Sequence, residues 1–274
     1  MRAYSFNKKW SGIKDKQGAK IDESSIYVNV GQKPVTQRQL NLYYYFLFIK
    51  NIIAKQNAKD ILEVGAGRGT ISLYLAEYLH LNLSLLDNVA DAMTIAKKKF
   101  TEHGQSAEFY VDNALGSNLA SQSFDSIVSI GLAEHFKEDE VKNLFQEQFR
   151  LLRSGGVMIS FNIPGKFSIQ FLNTIMRFFR KIFGSYSESI KKDYYRNSLR
   201  PSDFKKLAKE AGFEKMEIVN ACPFPIFTPL KLTNDKKITK IYKVILRIRS
   251  LFIKYPYKTN YLVSQGHFLV AYKK

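Results

Sequence analysis

Ile61-Leu62-Glu63-Val64-Gly65-Ala66-Gly67-Arg68-Gly69-Thr70 joins an apolar run to three glycines spaced G-x-G-x-G. Glycine lets a chain turn sharply after a strand and lets a ligand approach the backbone without meeting a Cβ, while a following helix offers N–H groups to an acceptor. The segment points to a nucleotide-type ligand. A dinucleotide fingerprint would want glycine at position 70, which is Thr, and this counts against NAD or FAD. Glu63 would repel a pyrophosphate and suits a ligand with an ammonium or sulfonium charge, although a solvated strand end is the plainer alternative. Leu83-Ser84-Leu85-Leu86-Asp87 ends in a carboxylate placed to accept both hydroxyls of a ribose. Phe109-Tyr110-Val111-Asp112-Asn113 ends in an acid and an amide that suit an adenine amino group and ring nitrogens, or that only form an Asx turn.

These residues need a scaffold that brings three strand ends together. Apolar runs at 60–64, 83–87, 107–112, 124–130 and 157–163 alternate with helical patterns over 69–79, 89–102 and 137–151. A leading helix from a Thr36 cap to about Lys55 precedes them, with Leu40, Tyr43, Tyr44, Leu47, Phe48 and Ile52 at helical spacing. The alternation implies an α/β, doubly wound, Rossmann-like parallel sheet with right-handed crossovers, in which ligands sit beyond the carboxyl ends of the strands. The beat stops after Ile163. It resumes with a helix from Pro201 to Ala211 closed by Gly212, a strand over 213–220 and a last strand over 261–272.

Together these motifs resemble the class I S-adenosylmethionine-dependent methyltransferases, and within them the small-molecule, methyltransferase type 11-like branch. The resemblance covers about 58–163 well, and 200–220 and the final strand loosely. It includes Phe124-Asp125-Ser126-Ile127-Val128-Ser129 as a fourth strand, Leu132-Ala133-Glu134-His135-Phe136 as the segment facing the reacting methyl, and Leu151-Leu152-Arg153-Ser154-Gly155-Gly156 as the turn into a fifth strand, with Ser154 where proline is usual. It implies seven strands with an antiparallel last hairpin and S-adenosylmethionine as cofactor. The residues expected to hold it are Glu63, Gly65, Ala66, Gly67, Gly69, Asp87, Asn88, Asp112, Asn113 and Ile130. A hydroxyl or acidic carbon acceptor also needs a base. His135 is the histidine placed for it, or else it caps and packs where it stands; Tyr194 and Tyr195 rank behind it.

Composition narrows the partners. The chain of 274 residues carries a formal charge of +18, with 23 Lys and Arg against 7 Asp and Glu in residues 164–274. Such a half-chain expects a polyanionic neighbour, unless the basic surface serves only solubility. Two stretches read as basic amphipathic insertions. In 164–200, Phe167, Phe171, Ile175, Phe178, Phe179 and Ile182 oppose Lys166, Arg177, Arg180 and Lys181. In 236–254, within a second insertion over 228–258, Ile238, Ile241, Ile245, Ile248 and Phe252 oppose Lys236, Lys240, Lys243, Arg247 and Lys254. Each is expected either to lie on an anionic membrane or to pack as a lid over the acceptor.

The single cysteine, Cys222, excludes a disulfide within the chain and a multi-thiolate metal site, and no metal is expected. It reads as a small apolar residue. No apolar run is long enough to span a bilayer and Met1-Arg2-Ala3-Tyr4 opens no secretory segment, so a cytoplasmic protein is expected, peripheral at the inner face of a membrane. Ser129-Ile130-Gly131-Leu132 stands where amino-methylating nucleic-acid enzymes of this class carry Asn/Asp-Pro-Pro-aromatic, and no cysteine serves a cytosine C5 reaction. Nucleic acid is therefore a disfavoured partner. The expected organisation is an N-terminal segment with its leading helix (1–57), a cofactor-binding core (58–163), the first insertion (164–200) and a C-terminal part (201–274). The expected function is methyl transfer to a hydrophobic or anionic small molecule, lipid-linked, at a membrane surface. The alternatives are a methyltransferase that docks an acidic carrier protein or RNA, and a non-catalytic domain that binds S-adenosylmethionine.

Overall fold

A computed structural model describes residues 33–163, 195–220, 232–256 and 266–274. Tyr194, Cys222 and the amphipathic stretch expected between 164 and 194 lie outside the described residues. The chain runs α1 (Gln37–Lys55), β1 (Asp60–Val64), α2 (Thr70–Tyr78), β2 (Asn82–Asp87), α3 (Ala90–Glu102), β3 (Glu108–Val111) and β4 (Phe124–Ile130). After a 3-10 turn (Ala133–His135) come α4 (Glu138–Leu151), β5 (Leu152–Asn162), α5 (Pro201–Glu210), β6 (Lys215–Val219), α6 (Leu232–Ser250) and β7 (His267–Tyr272).

Local signals set most of these bounds. Thr36 accepts from the Gln39 amide at 3.2 Å while the Gln39 side chain takes the Thr36 amide, a reciprocal cap that starts α1. Pro201 opens α5, and Gly212, at φ +113°, ends it. The last strand is described over His267–Tyr272, residues 261–265 of the run expected from Tyr261 lying outside the described residues, and β5 begins at Leu152, earlier than Val157. The reason for the second lies in pairing: Leu152 sits opposite Phe124, and an irregularity follows before Ser126 pairs with Val157.

The seven strands lie in the order β3-β2-β1-β4-β5-β7-β6, with β7 antiparallel to β5 and β6 and the remaining pairs parallel. Strand order reverses between β1 and β4, the switch point at which such sheets open a crevice. Strand β1 is buried on both sides from Ile61 to Val64, so it reads as a continuous apolar run interrupted only by Glu63. Helices α1, α2 and α3 cover one face through Ile49, Ile53, Leu73, Met93 and Phe100. Helices α4 and α5 cover the other through Leu144, Phe145, Phe204 and Leu207.

Helix α1 ends just before β1 begins, so it runs against the strands and its amino-terminal half lies level with their carboxyl ends. The ring of Tyr45 accordingly packs 4.3 Å from Phe161 and 5.8 Å from Phe268, near the end of β5 and the start of β7. Helix α6 lies on that half of α1, with Tyr242 and Leu246 against Leu40 and Tyr44. The Asp235 carboxylate accepts from the Gln37 amide at 2.8 Å, and the Tyr255 hydroxyl donates to the Tyr44 carbonyl at 2.5 Å. No helix among the described residues is long and apolar enough to cross a membrane.

Candidate active site

Register brings the strand ends into line. Val64 pairs with Leu86, Asp87 with Val111 and Ile130 with Phe161, so the segments after β1, β2, β3 and β4 emerge at one edge. Gly65, Gly67 and Gly69 all have positive φ, at +68°, +55° and +65°. Space restricts two of them further. A Cβ on Gly65 would lie 2.7 Å from a Leu132 methyl, and one on Gly69 would lie 2.6 Å from a Leu85 methyl. The first contact seats the segment after β4 directly on the glycine loop. That meeting is invisible in sequence, because the two positions belong to separate crossovers.

Asp87 closes the loop from the other side. One carboxylate oxygen accepts from the Gly67 amide at 2.8 Å and the other from the Val89 amide at 3.0 Å. Asn88 is exposed beside it, Ala66 is buried within the loop and Ile130 is half-buried at the end of β4. These residues share one edge.

Glu63 is buried and turned towards α2. One of its oxygens accepts from the Ser72 amide at 3.0 Å and from the Ser72 hydroxyl at 2.5 Å. Burial pushes its carboxyl up to about 7, against the two Ser72 bonds, and the Asp87 charge adds to the rise. It is a strand-end acid that anchors the helix, not a solvated one.

Asp112 and Asn113 serve their own loop. Asp112 accepts from the amides of Asn113 at 2.7 Å and Asn118 at 2.8 Å, and these bonds hold its carboxyl below the usual range. Asn113 accepts from the Leu115 amide at 3.0 Å, an Asx turn.

His135 stands at the end of the 3-10 turn, half-buried, with Nδ1 3.0 Å from the Tyr195 carbonyl oxygen. A carbonyl only accepts, so Nδ1 carries the proton and the lone pair of the neutral ring lies on Nε2. Asn197 fixes the turn itself: its side chain donates to the Ala133 and Phe136 carbonyls, both at 2.9 Å, and its amide donates to the Glu134 carbonyl at 2.8 Å. Tyr195 contributes its backbone to this clamp and leaves its side chain half exposed.

A buried polar file continues from the turn across the sheet. Ser129 donates to Ser160 at 3.1 Å, and Ser160 donates to the Asn162 side-chain oxygen at 3.1 Å. His267 pairs with Asn162 across β5 and β7, fully buried, and neither ring nitrogen has a hydrogen-bond partner among the described residues. Burial drives its pKa down to about 4, so the ring is neutral.

The opposite edge of the sheet differs in kind. An open groove of about 650 Å³ runs past Asp60, Asn82, Glu108, Tyr110 and Arg153. Arg153 bridges Asp60 at 2.6 Å and Asp125 at 2.7 Å, which ties the amino ends of β1, β4 and β5 together; Arg153 holds the Asp60 carboxyl below its usual range, and the Asp60 and Lys59 amides, with Arg153 behind them, hold that of Asp125 down against its burial. It lies across the sheet from the glycine loop. No cluster of metal-ligating side chains occurs among the described residues.

Residues 61–156 match the family model of the methyltransferase domain. No curated protein matches the sequence significantly. The fold is shared with solved structures of low identity. An S-adenosylmethionine-dependent methyltransferase from Clostridium acetobutylicum is 13% identical over 85% of this chain and 92% of its own, with a TM-score of 0.56. A putative sarcosine dimethylglycine methyltransferase from Galdieria sulphuraria is 15% identical over 90% of this chain and 93% of its own, at 0.55. Phosphoethanolamine N-methyltransferase 2 from Haemonchus contortus, solved with S-adenosyl-L-methionine, is 18% identical over 85% of this chain and 56% of its own, at 0.52. Residues 61–156 are thus similar to a methyltransferase domain, and the fold is that of the solved S-adenosylmethionine-dependent methyltransferases.

Proposed function

We propose that this chain methylates a hydrophobic or anionic small molecule, lipid-linked and presented at a membrane surface. The observation that carries the reading is the seat of Leu132 on Gly65, which places the segment bearing His135 against the glycine loop. The cofactor fits the residues present, since the loop turns through three glycines at positive φ and the Asp87 carboxylate stands against it on the Gly67 amide. Bound there, S-adenosylmethionine supplies an electrophilic methyl on a sulfonium. Gly65, Ala66, Gly67 and Gly69 would hold the methionine portion, Asp87 and Asn88 the ribose, and Asp112, Asn113 and Ile130 the adenine side. Glu63 would brace the start of α2 behind the loop through Ser72.

In-line displacement depends chiefly on holding the acceptor at about 3 to 3.5 Å from the methyl carbon. His135, with Nδ1 tied to the Tyr195 carbonyl, would present Nε2 to take the proton of an acceptor hydroxyl or acidic carbon. The basic half of the chain favours an anionic acceptor or an anionic surface around it.

The test supplies the protein with labelled S-adenosylmethionine and a whole-cell extract separated into organic-soluble, aqueous small-molecule, protein and RNA fractions. Label in the organic-soluble fraction or in an anionic small molecule is expected. Label confined to protein or RNA would overturn the acceptor class, and tight cofactor binding with no label in any fraction would favour a non-catalytic domain.

A further inference from the structure

Helix α6 has three distinct sides. The first packs on α1 through Asp235, Thr239, Tyr242 and Leu246. The second is a ridge of Ile241, Val244, Ile245 and Ile248 that continues into Leu251 and Phe252 beyond the helix, the last two 77% and 81% exposed. Consecutive helical residues are about 100° apart, which places this ridge on the side turned away from α1. The third is a line of Lys236, Lys240, Lys243 and Arg247 between the ridge and the packed side. Residues 232–256 contain seven basic residues and one acidic residue. That acid, Asp235, is turned inward to Gln37. The outward surface of this segment therefore presents branched apolar side chains and positive charge with no carboxylate of its own among them.

A fold gains nothing by leaving such a row in water, and a contiguous apolar patch of this kind marks a contact. We infer that the outer ridge of α6 docks on an anionic lipid bilayer, lying along the headgroup region without crossing it. The charge selects this occupant. A lipid surface offers apolar depth for the ridge and phosphates for the lysine line beside it, the arrangement of interfacial helices. The helix sits on the half of α1 level with the carboxyl ends of the strands, so docking brings the edge that holds the glycine loop and His135 to the membrane. The inference rests on the reading of a membrane-presented acceptor and names the surface that meets it.

The experiment is flotation of the full chain with vesicles of phosphatidylcholine alone or mixed with phosphatidylglycerol, at low and high salt, alongside calorimetric binding of S-adenosylmethionine. The wild type should float with the anionic vesicles at least tenfold more than with neutral ones. It should release as salt shortens the screening length from about 10 Å at 0.1 M to about 3 Å at 1 M. Ile248→Glu with Phe252→Glu should lower flotation at least tenfold, as should Lys240→Glu with Arg247→Glu, both with cofactor affinity within twofold of wild type. Absence of flotation, or ridge variants that float like wild type, overturns the inference. So does a dimer in light scattering that the ridge variants dissociate, which would make the ridge a subunit interface. Absence of wild-type flotation with wild-type cofactor binding intact refutes only the docking surface, whereas failure of the wild type to bind cofactor strikes the methyltransferase site instead.

Discussion

Replacing Glu63 by glutamine tests how the loop is braced. The Glu63 carboxyl is raised from its ordinary 4.5 to about 7, chiefly by burial. A group whose folded pKa lies above its unfolded one gives its full stabilisation below the unfolded pKa and loses it as pH rises through the folded pKa. Wild-type stability from this residue is therefore complete below pH 4.5 and is lost progressively towards pH 7 and above. Each pKa unit is about 1.4 kcal/mol, so the change between pH 5 and pH 8 amounts to about 2–3 kcal/mol. A glutamine side chain would keep the acceptor for Ser72 without the charge, so Glu63→Gln should gain about that much on wild type across this interval. Urea midpoints of both proteins at pH 5, 6, 7 and 8, without cofactor, provide the measurement. Using the difference between the two matters, because His267 acts in the opposite sense. Its pKa falls from 6.5 to about 4, so it costs stability as pH drops through that window and masks Glu63 in the wild-type curve alone. A difference between variant and wild type that stays level from pH 5 to pH 8 would show that Glu63 is ionised throughout and that the argument from burial fails.

Asp87→Ala should weaken S-adenosylmethionine binding by at least a hundredfold in calorimetry, since two hydrogen bonds to a charged group are worth roughly 1.5–3 kcal/mol each; unchanged affinity in a folded variant removes the ribose assignment. His135→Ala should lower methyl transfer by about 10²-fold or more while cofactor affinity stays within twofold, and a loss under threefold returns the ring to a packing role. His267→Phe should remove the destabilisation of the wild type between pH 6.5 and pH 4, because a ring with no basic nitrogen has no proton to exclude; thermal melts that still track the wild type over that range would show that another group is responsible.

What the sequence by itself determined was local. Continuous apolar runs, the Thr36 cap, Pro201 and Gly212 mark the elements without help from distant residues, and parallel strands of similar length carry Asp87 to the same edge as the glycine loop. The glycines were legible because each meets a backbone requirement that its own φ expresses.

What only the tertiary structure decided lies between elements far apart in the chain. Leu132 reaches Gly65, and Ser72 turns Glu63 inward. Asn197 and Tyr195 hold the turn of His135 from the far side of residues 164–194, which no local pattern could announce. Helix α6 is the plainest case. Its apolar residues recur around more than one side, so periodicity predicts an amphipathic helix but not its roll. The position of α1 settles it: Tyr242 and Leu246 meet Leu40 and are buried, while Ile241, Ile245 and Ile248 are left to the outside. Which side of a helix becomes core is a property of its neighbour, and the neighbour is assigned only when the chain has folded.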